Sequence, residues 1–212
     1  MTTISNFKME CSVCGETSEQ RVLSSTNSFG YPDLDFRPPE MKRSTMRFWI
    51  QECPNCGYVA GNLSDKLEIP KDFLKTDEYR NCEGFDFKSK LAGKFYKRYL
   101  IFNQMKNLEM SLINLQRCAW KCDDEEDPLA SDIRKMGIKI IYEMLESDIE
   151  ADESNILIKA DFMRRCGLFD ELIKEFEGIA LDCDEYNRVI QYQIEKAREK
   201  DDACYTTEEI FG

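Results

Sequence analysis

The 212-residue chain contains no histidine. That absence removes every Ser-His or Cys-His nucleophilic device, every imidazole general base and every metal site built on imidazole. Long apolar runs are missing too. No stretch approaches the roughly 18–20 apolar residues of a membrane span, and the opening MTTISNFKMECSVCG lacks a secretory apolar region. A cytoplasmic protein with no membrane partner is expected. There is no P-loop and no G-x-G-x-x-G to cradle phosphates. Basic charge is scarce: 29 Lys and Arg stand against 41 Asp and Glu, a net charge of −12. A chain this acidic is not expected to wrap a phosphate backbone, because nucleic-acid affinity rests on basic side chains displacing counterions. What the chain does have, 42% hydrophobic and 11% aromatic residues, suffices for a buried core.

Ten cysteines are present. Without an export signal they argue against a disulfide framework. Four of them form two C-x-x-C pairs, each closed by glycine: CSVCG at 11–15 and CPNCG at 53–57, with 38 residues between the pairs. Two thiolates three residues apart grip one ion from a tight turn whose backbone N–H groups stabilise the sulfur charge. Glycine after the second cysteine relieves the left-handed backbone such a turn needs. Cys11, Cys14, Cys53 and Cys56 are therefore expected to hold one metal ion per chain. A tetrahedron of four sulfurs suits zinc first and iron second. A closed site of this type usually holds a small fold together rather than catalysing a reaction. Cys82, Cys118, Cys122, Cys166, Cys183 and Cys204 lack this spacing. Cys118 and Cys122 fall beside an apolar helical stripe and read as core.

Around the knuckles the pattern is that of short strands. Arg21–Thr26 is β-prone, and Met46, Phe48 and Ile50 alternate with Arg47, Trp49 and Gln51 at strand period. Residues 1–64 are thus expected to form a zinc ribbon too small to fold well without its metal. Within it, the loop 24–43 (SSTNSFGYPDLDFRPPEMKR) is long for a connection. Its Phe29, Tyr31, Leu34 and Phe36 predict order and packing, and Asp33, Asp35, Arg37 and Glu40 are candidates for partner binding.

Residues 65–212 read as helices: about 70–80, 86–106, 107–122, 127–147, 153–165, 168–181 and 184–201, ending in a loose YTTEEIFG. Asp86 and Asp127 are the expected caps. The lengths and short joints predict antiparallel neighbours. Charge is uneven here. Residues 88–106 carry six basic side chains and no acidic one, whereas 123–127 is DDEED. These are expected to be solvated, opposed faces of neighbouring helices, with Lys94, Lys97 and Arg98 as a docking candidate. The segment 158–177, with Phe162 five residues before Gly167 and then Leu172 and Phe176, resembles the middle of a tetratricopeptide repeat. The fold class is α+β, mainly α: a small four-cysteine ribbon followed by an antiparallel helical array.

A C-x-x-C-G knuckle, a long loop, CPNCGYVA at 53–60 and an all-helical tail together resemble the bacterial family designated domain of unknown function 2225. The resemblance implies a metal-binding ribbon before tetratricopeptide-like helices, with Cys11, Cys14, Cys53 and Cys56 as zinc ligands. It implies no activity. The second knuckle also resembles that of rubredoxin, which binds iron and transfers electrons.

Three functions follow from these readings. The first is a non-catalytic zinc-binding protein that meets a protein or peptide partner along stacked helices. The second is a nucleic-acid-associated zinc-ribbon factor using Lys42, Arg43 and Arg47 near Trp49; the net charge opposes it. The third is an iron-sulfur-ligated, rubredoxin-like redox protein, or an enzyme relying on carboxylates such as Asp33 and Asp35.

Overall fold

The computed structural model describes residues 1–66, 69–147 and 152–212. Strand β1 (Thr3–Glu10) and strand β2 (Thr17–Ser25) form an antiparallel hairpin with the first knuckle as its turn. Lys8 faces Glu19 across the ladder, an opposite-charge pair that supports the register. The second knuckle is likewise the turn of a hairpin, but a minimal one: β3 (Gln51–Glu52) pairs with β4 (Val59–Ala60).

The strand expected over 46–51 is not formed. Residues Arg43–Phe48 are a 3-10 helix. Thr45 decides the outcome locally: its hydroxyl donates to the Lys42 carbonyl at 2.7 Å and accepts the Trp49 indole N–H at 2.9 Å. Such side-chain bonds offer the backbone a tight turn in place of a ladder. Met46, Phe48 and Ile50 are still buried, so the apolar positions were read correctly and the backbone period was not.

The helical part differs from expectation mainly at its ends. The helix expected over 70–80 splits into a 3-10 turn, Phe73–Lys75, and the one-turn helix α1 (Asp77–Arg80). Thr76 between them is extended and accepts the Tyr79 N–H; as an N-cap it starts a new helix rather than continuing the old one. Helix α2 (Lys90–Gln104) is capped by Ser89, not Asp86. Helix α3 (Leu108–Asp124) is capped by Asn107. Asp127 does serve the start of α4 (Leu129–Glu146): one carboxylate oxygen accepts from Leu129 N–H, and the other accepts from Lys88 N–H. Helices α5 (Glu153–Arg165), α6 (Phe169–Phe176) and α7 (Asp184–Arg198) follow. Helix α6 stops well short of Leu181.

Consecutive helices pack against one another from α2 to α6, and α7 packs on both α5 and α6. The short joints make these neighbours antiparallel. One contiguous apolar core runs from Cys11 and the Tyr58–Leu63 segment through all the long helices to Ala197. Cys118 and Cys122 lie inside it at 0% exposure. Among the described residues no helix is long and apolar enough to cross a membrane.

The C-terminal segment is not loose. Thr206 bridges Asp33, Leu34 N–H donates to the Tyr205 carbonyl, and Thr207 N–H donates to the Pro32 carbonyl. Helix α8 (Glu208–Phe211) closes the chain. The local sequence shows no apolar period because the segment is held by the backbone of a distant loop, not by its own amphipathic face.

Candidate metal centre

The two knuckles repeat one hydrogen-bond pattern. In the first, Cys11 N–H donates to the Glu16 carbonyl and Gly15 N–H to the Cys11 carbonyl, each at 2.8 Å. In the second, Cys53 N–H donates to the Tyr58 carbonyl at 2.8 Å and Gly57 N–H to the Cys53 carbonyl at 3.0 Å. Gly15 and Gly57 sit at φ +77° and +74°, the left-handed region that a side chain disfavours. Backbone N–H groups point at the sulfurs: those of Val13 and Cys14 at Cys11, that of Glu16 at Cys14, and that of Tyr58 at Cys56.

The hairpins bring all four sulfurs within 4.8 Å of one another. Cys11 Sγ lies 3.8 Å from Cys56 Sγ, and Cys14 Sγ lies 3.6 Å from Cys53 Sγ. A tetrahedron with metal–sulfur bonds near 2.3 Å has edges of about 3.8 Å. Disulfides, at about 2.05 Å, are excluded. Each of these two close pairs joins one knuckle to the other, so the four sulfurs form one group rather than two separate pairs.

The electrostatics agree. Burial pushes the Cys11 and Cys56 thiols above their ordinary value. For Cys14, burial is outweighed by hydrogen bonds from Glu16 N–H and the Asn55 side chain, and its thiol falls to about 7. Four sulfurs this close cannot all ionise unless a cation joins them. The four-cysteine group could therefore hold a metal ion, and its all-sulfur donor set suits zinc or iron.

The other residues singled out in the sequence do not join this centre, and several are engaged inside the molecule. Lys94 and Lys97 pair with Glu52, beside Cys53, at 3.2 and 3.7 Å. Arg98 donates to the Val59 carbonyl at 3.0 Å and lies over the Phe102 ring. Lys94, Lys97 and Arg98 of α2 thus meet the second hairpin, whereas Lys88, at the start of the basic segment, does reach the acidic run: its Nζ donates to the Glu126 carbonyl and its N–H to Asp127, each at 2.8 Å. The first acids of DDEED are paired by other bases: Asp123 by Arg134 and Arg165, and Asp124 by Arg37. Asp33, Asp35 and Arg37 are 3%, 0% and 5% exposed. Asp33 takes Arg43. Asp35 accepts the Trp120 indole N–H at 2.6 Å. These residues lie in a charged seam between the loop 24–43 and the helices. Glu40 accepts the Ser44 hydroxyl at the surface.

Tyr79 escaped the sequence reading. Its hydroxyl donates to the Gly57 carbonyl at 2.8 Å, and its ring is 1% exposed, so it pins the second knuckle to α1. A tyrosine within a short helical pattern carries no signal of that role. Comparison of the chain with protein-family models, with curated proteins and with solved structures brings no match.

Proposed function

We propose that the chain is a zinc-binding, non-catalytic protein whose four-cysteine centre locks the N-terminal hairpin onto a helical body that receives a protein or peptide partner. The observation that carries this reading is the pairing of two like knuckles around one tetrahedron. Four protein sulfurs fill the coordination of zinc and leave no position for a substrate or an activated water. The metal's contribution is then structural: it would join two hairpins that share few other contacts. The helical array adds the kind of extended surface that stacked helices present to partners. The resemblance to domain of unknown function 2225 fits the same reading. Iron is the second reading, favoured by the donor set and by the N–H groups aimed at the sulfurs, which also stabilise a rubredoxin-type centre.

Metal analysis of untagged protein purified without chelator, with an absorbance spectrum of the same sample, separates the two. About one zinc per chain and no visible bands is the expected result. Iron with visible sulfur-to-metal bands moves the redox reading to the front. A folded chain with neither metal and four free knuckle thiols overturns both.

A further inference from the structure

A second, metal-independent site lies where the loop 24–43 crosses α3. Phe36, Pro38, Lys42, Trp49, Arg117 and Trp120 are among the residues lining a cavity of about 380 Å³ there, within the size range of small-ligand pockets. The chain has two tryptophans, and both form its walls. Each has its indole N–H committed away from the space, Trp49 to Thr45 and Trp120 to Asp35. Trp49 is half-buried at the cavity and Trp120 is 5% exposed. Phe36, a bulky residue at φ +64°, is 37% exposed at the rim. Such a backbone persists only where its surroundings impose it.

The charges are the stronger observation. Arg117 lies 5.5 Å from the Trp49 ring centroid. Among the described residues neither Arg117 nor Lys42 has a side-chain hydrogen-bond or ion-pair partner. Arg37, Arg134, Arg164 and Arg165 each found a carboxylate. In a chain with a net charge of −12, acids were available for Arg117 as well. Arg117 is half-buried, and that burial pushes its guanidinium below its ordinary value. A cation left unpaired beside an aromatic ring, with a lysine at the same opening, is complementary to a negative group attached to a flat ring.

We infer that this cavity binds a small anion carrying a planar ring, an aromatic or heterocyclic phosphate or carboxylate, with the ring against Trp49 and Trp120 and the anionic group on Arg117 and Lys42. The site owes nothing to the metal reading.

The test uses the full metal-loaded chain and the two indole N–H signals of its nitrogen-15 spectrum. Adenosine 5′-monophosphate and nicotinate serve as ring anions, and inorganic phosphate and adenosine as the separated halves. Expected is a saturable shift of both indole signals with at least one ring anion, and binding of either half weaker by about tenfold or more, since a charge-assisted hydrogen bond contributes about 1.5–3 kcal/mol. Response to the phosphate alone or to the carboxylate alone identifies the anionic group. Arg117→Lys should weaken the effective probe about tenfold, and Lys42→Ala, which removes only an exposed side chain, severalfold. The inference is overturned if neither ring anion moves both signals, if inorganic phosphate alone binds as well as the ring anion, or if both variants bind as the parent does.

Discussion

Removing the metal should release one hairpin and leave the other. Strands β1 and β2 span 8 and 9 residues, and none of their side chains is fully buried. A two-stranded hairpin is marginal in water at best, while fixing each backbone residue costs about 1–2 kcal/mol. Outside the metal, the hairpin and its knuckle hold the rest of the chain by a few hydrogen bonds (Ser12 N–H to the Leu63 carbonyl, Ser12 hydroxyl to the Asp65 carbonyl, Ser64 hydroxyl to the Glu10 carbonyl, Gln51 to the Arg21 carbonyl and Gln20 to the Glu52 carbonyl) and by the packing of Met9, Cys11 and Val13 on the core and of Arg21 over the Phe48 ring. Each of these hydrogen bonds contributes only about 0.5–1.5 kcal/mol net. Structural zinc supplies about 10–16 kcal/mol in small domains. If even ~4 kcal/mol of that holds the hairpin, chelation speeds amide exchange across residues 3–25 about 1000-fold. The second hairpin behaves differently. Tyr58, Val59, Ala60 and Leu63 are each at 0% exposure against the helices, and Tyr79 and Arg98 hold its backbone. Hydrogen exchange read by mass spectrometry, with metal content measured on the same sample, follows both hairpins at once. Protection of 3–25 that survives complete metal removal refutes the reasoning. So does loss of protection in α3 and α4 at the same chelator concentration.

Two further substitutions test the helical body. A Cβ on Gly137 would sit 2.6 Å from Phe162 Cε2 and 3.0 Å from Cδ2, and Phe162 is at 0% exposure, so its ring has nowhere to swing. Overpacking costs about 1–3 kcal/mol against a helix-propensity gain of about 1 kcal/mol. Gly137→Ala should therefore lower the melting temperature by about 2–6 °C, and Phe162→Leu in the same chain should recover part of it; a rise in melting temperature with Gly137→Ala alone defeats the packing account. Burial first, then the charge of Asp161, raises the Asp35 carboxyl to about 6 from an ordinary 3.8, against the pull of Arg165, Arg134 and the Trp120 N–H. The folded chain then binds the proton more tightly than the unfolded one between about pH 4 and 6, so this group's contribution to stability falls as pH rises through that window. The penalty at pH 7 is about 3 kcal/mol at most. Asp35→Asn, whose amide oxygen can still accept from Trp120, should flatten the pH dependence there relative to the parent; urea unfolding at pH 4.5 and 7 with parallel slopes for both proteins would contradict it.

The four-cysteine group was legible because its chemistry is local. Two ligands three residues apart in one turn are a feature of spacing, and the glycine that follows is a feature of backbone geometry; neither needs the rest of the chain. The long helices were legible for a related reason. An apolar stripe at i, i+4 and i+7 spacing records which face will be buried before anything says against what. Segments whose state is settled by a few hydrogen bonds were not. Met46–Gln51 has the alternation of a strand, yet Thr45 turns it into a 3-10 helix. The YTTEEIFG end has no period, yet it is fixed by backbone bonds to Pro32 and Leu34.

Charge was the least readable property of all. Composition determined that the chain is acidic, has no imidazole chemistry and carries one four-sulfur group. It could not determine which base meets which acid, because ion pairs are chosen by proximity across the fold. Only the tertiary structure turned the basic face of α2 toward Glu52, placed Arg37 on Asp124 and buried Asp35 beneath Trp120. It also left Arg117 over Trp49 with no acid paired to it among the described residues. A helix buries whatever its packing angle brings inward, and in α3 that brought a cation that no motif or period distinguishes from a solvated one.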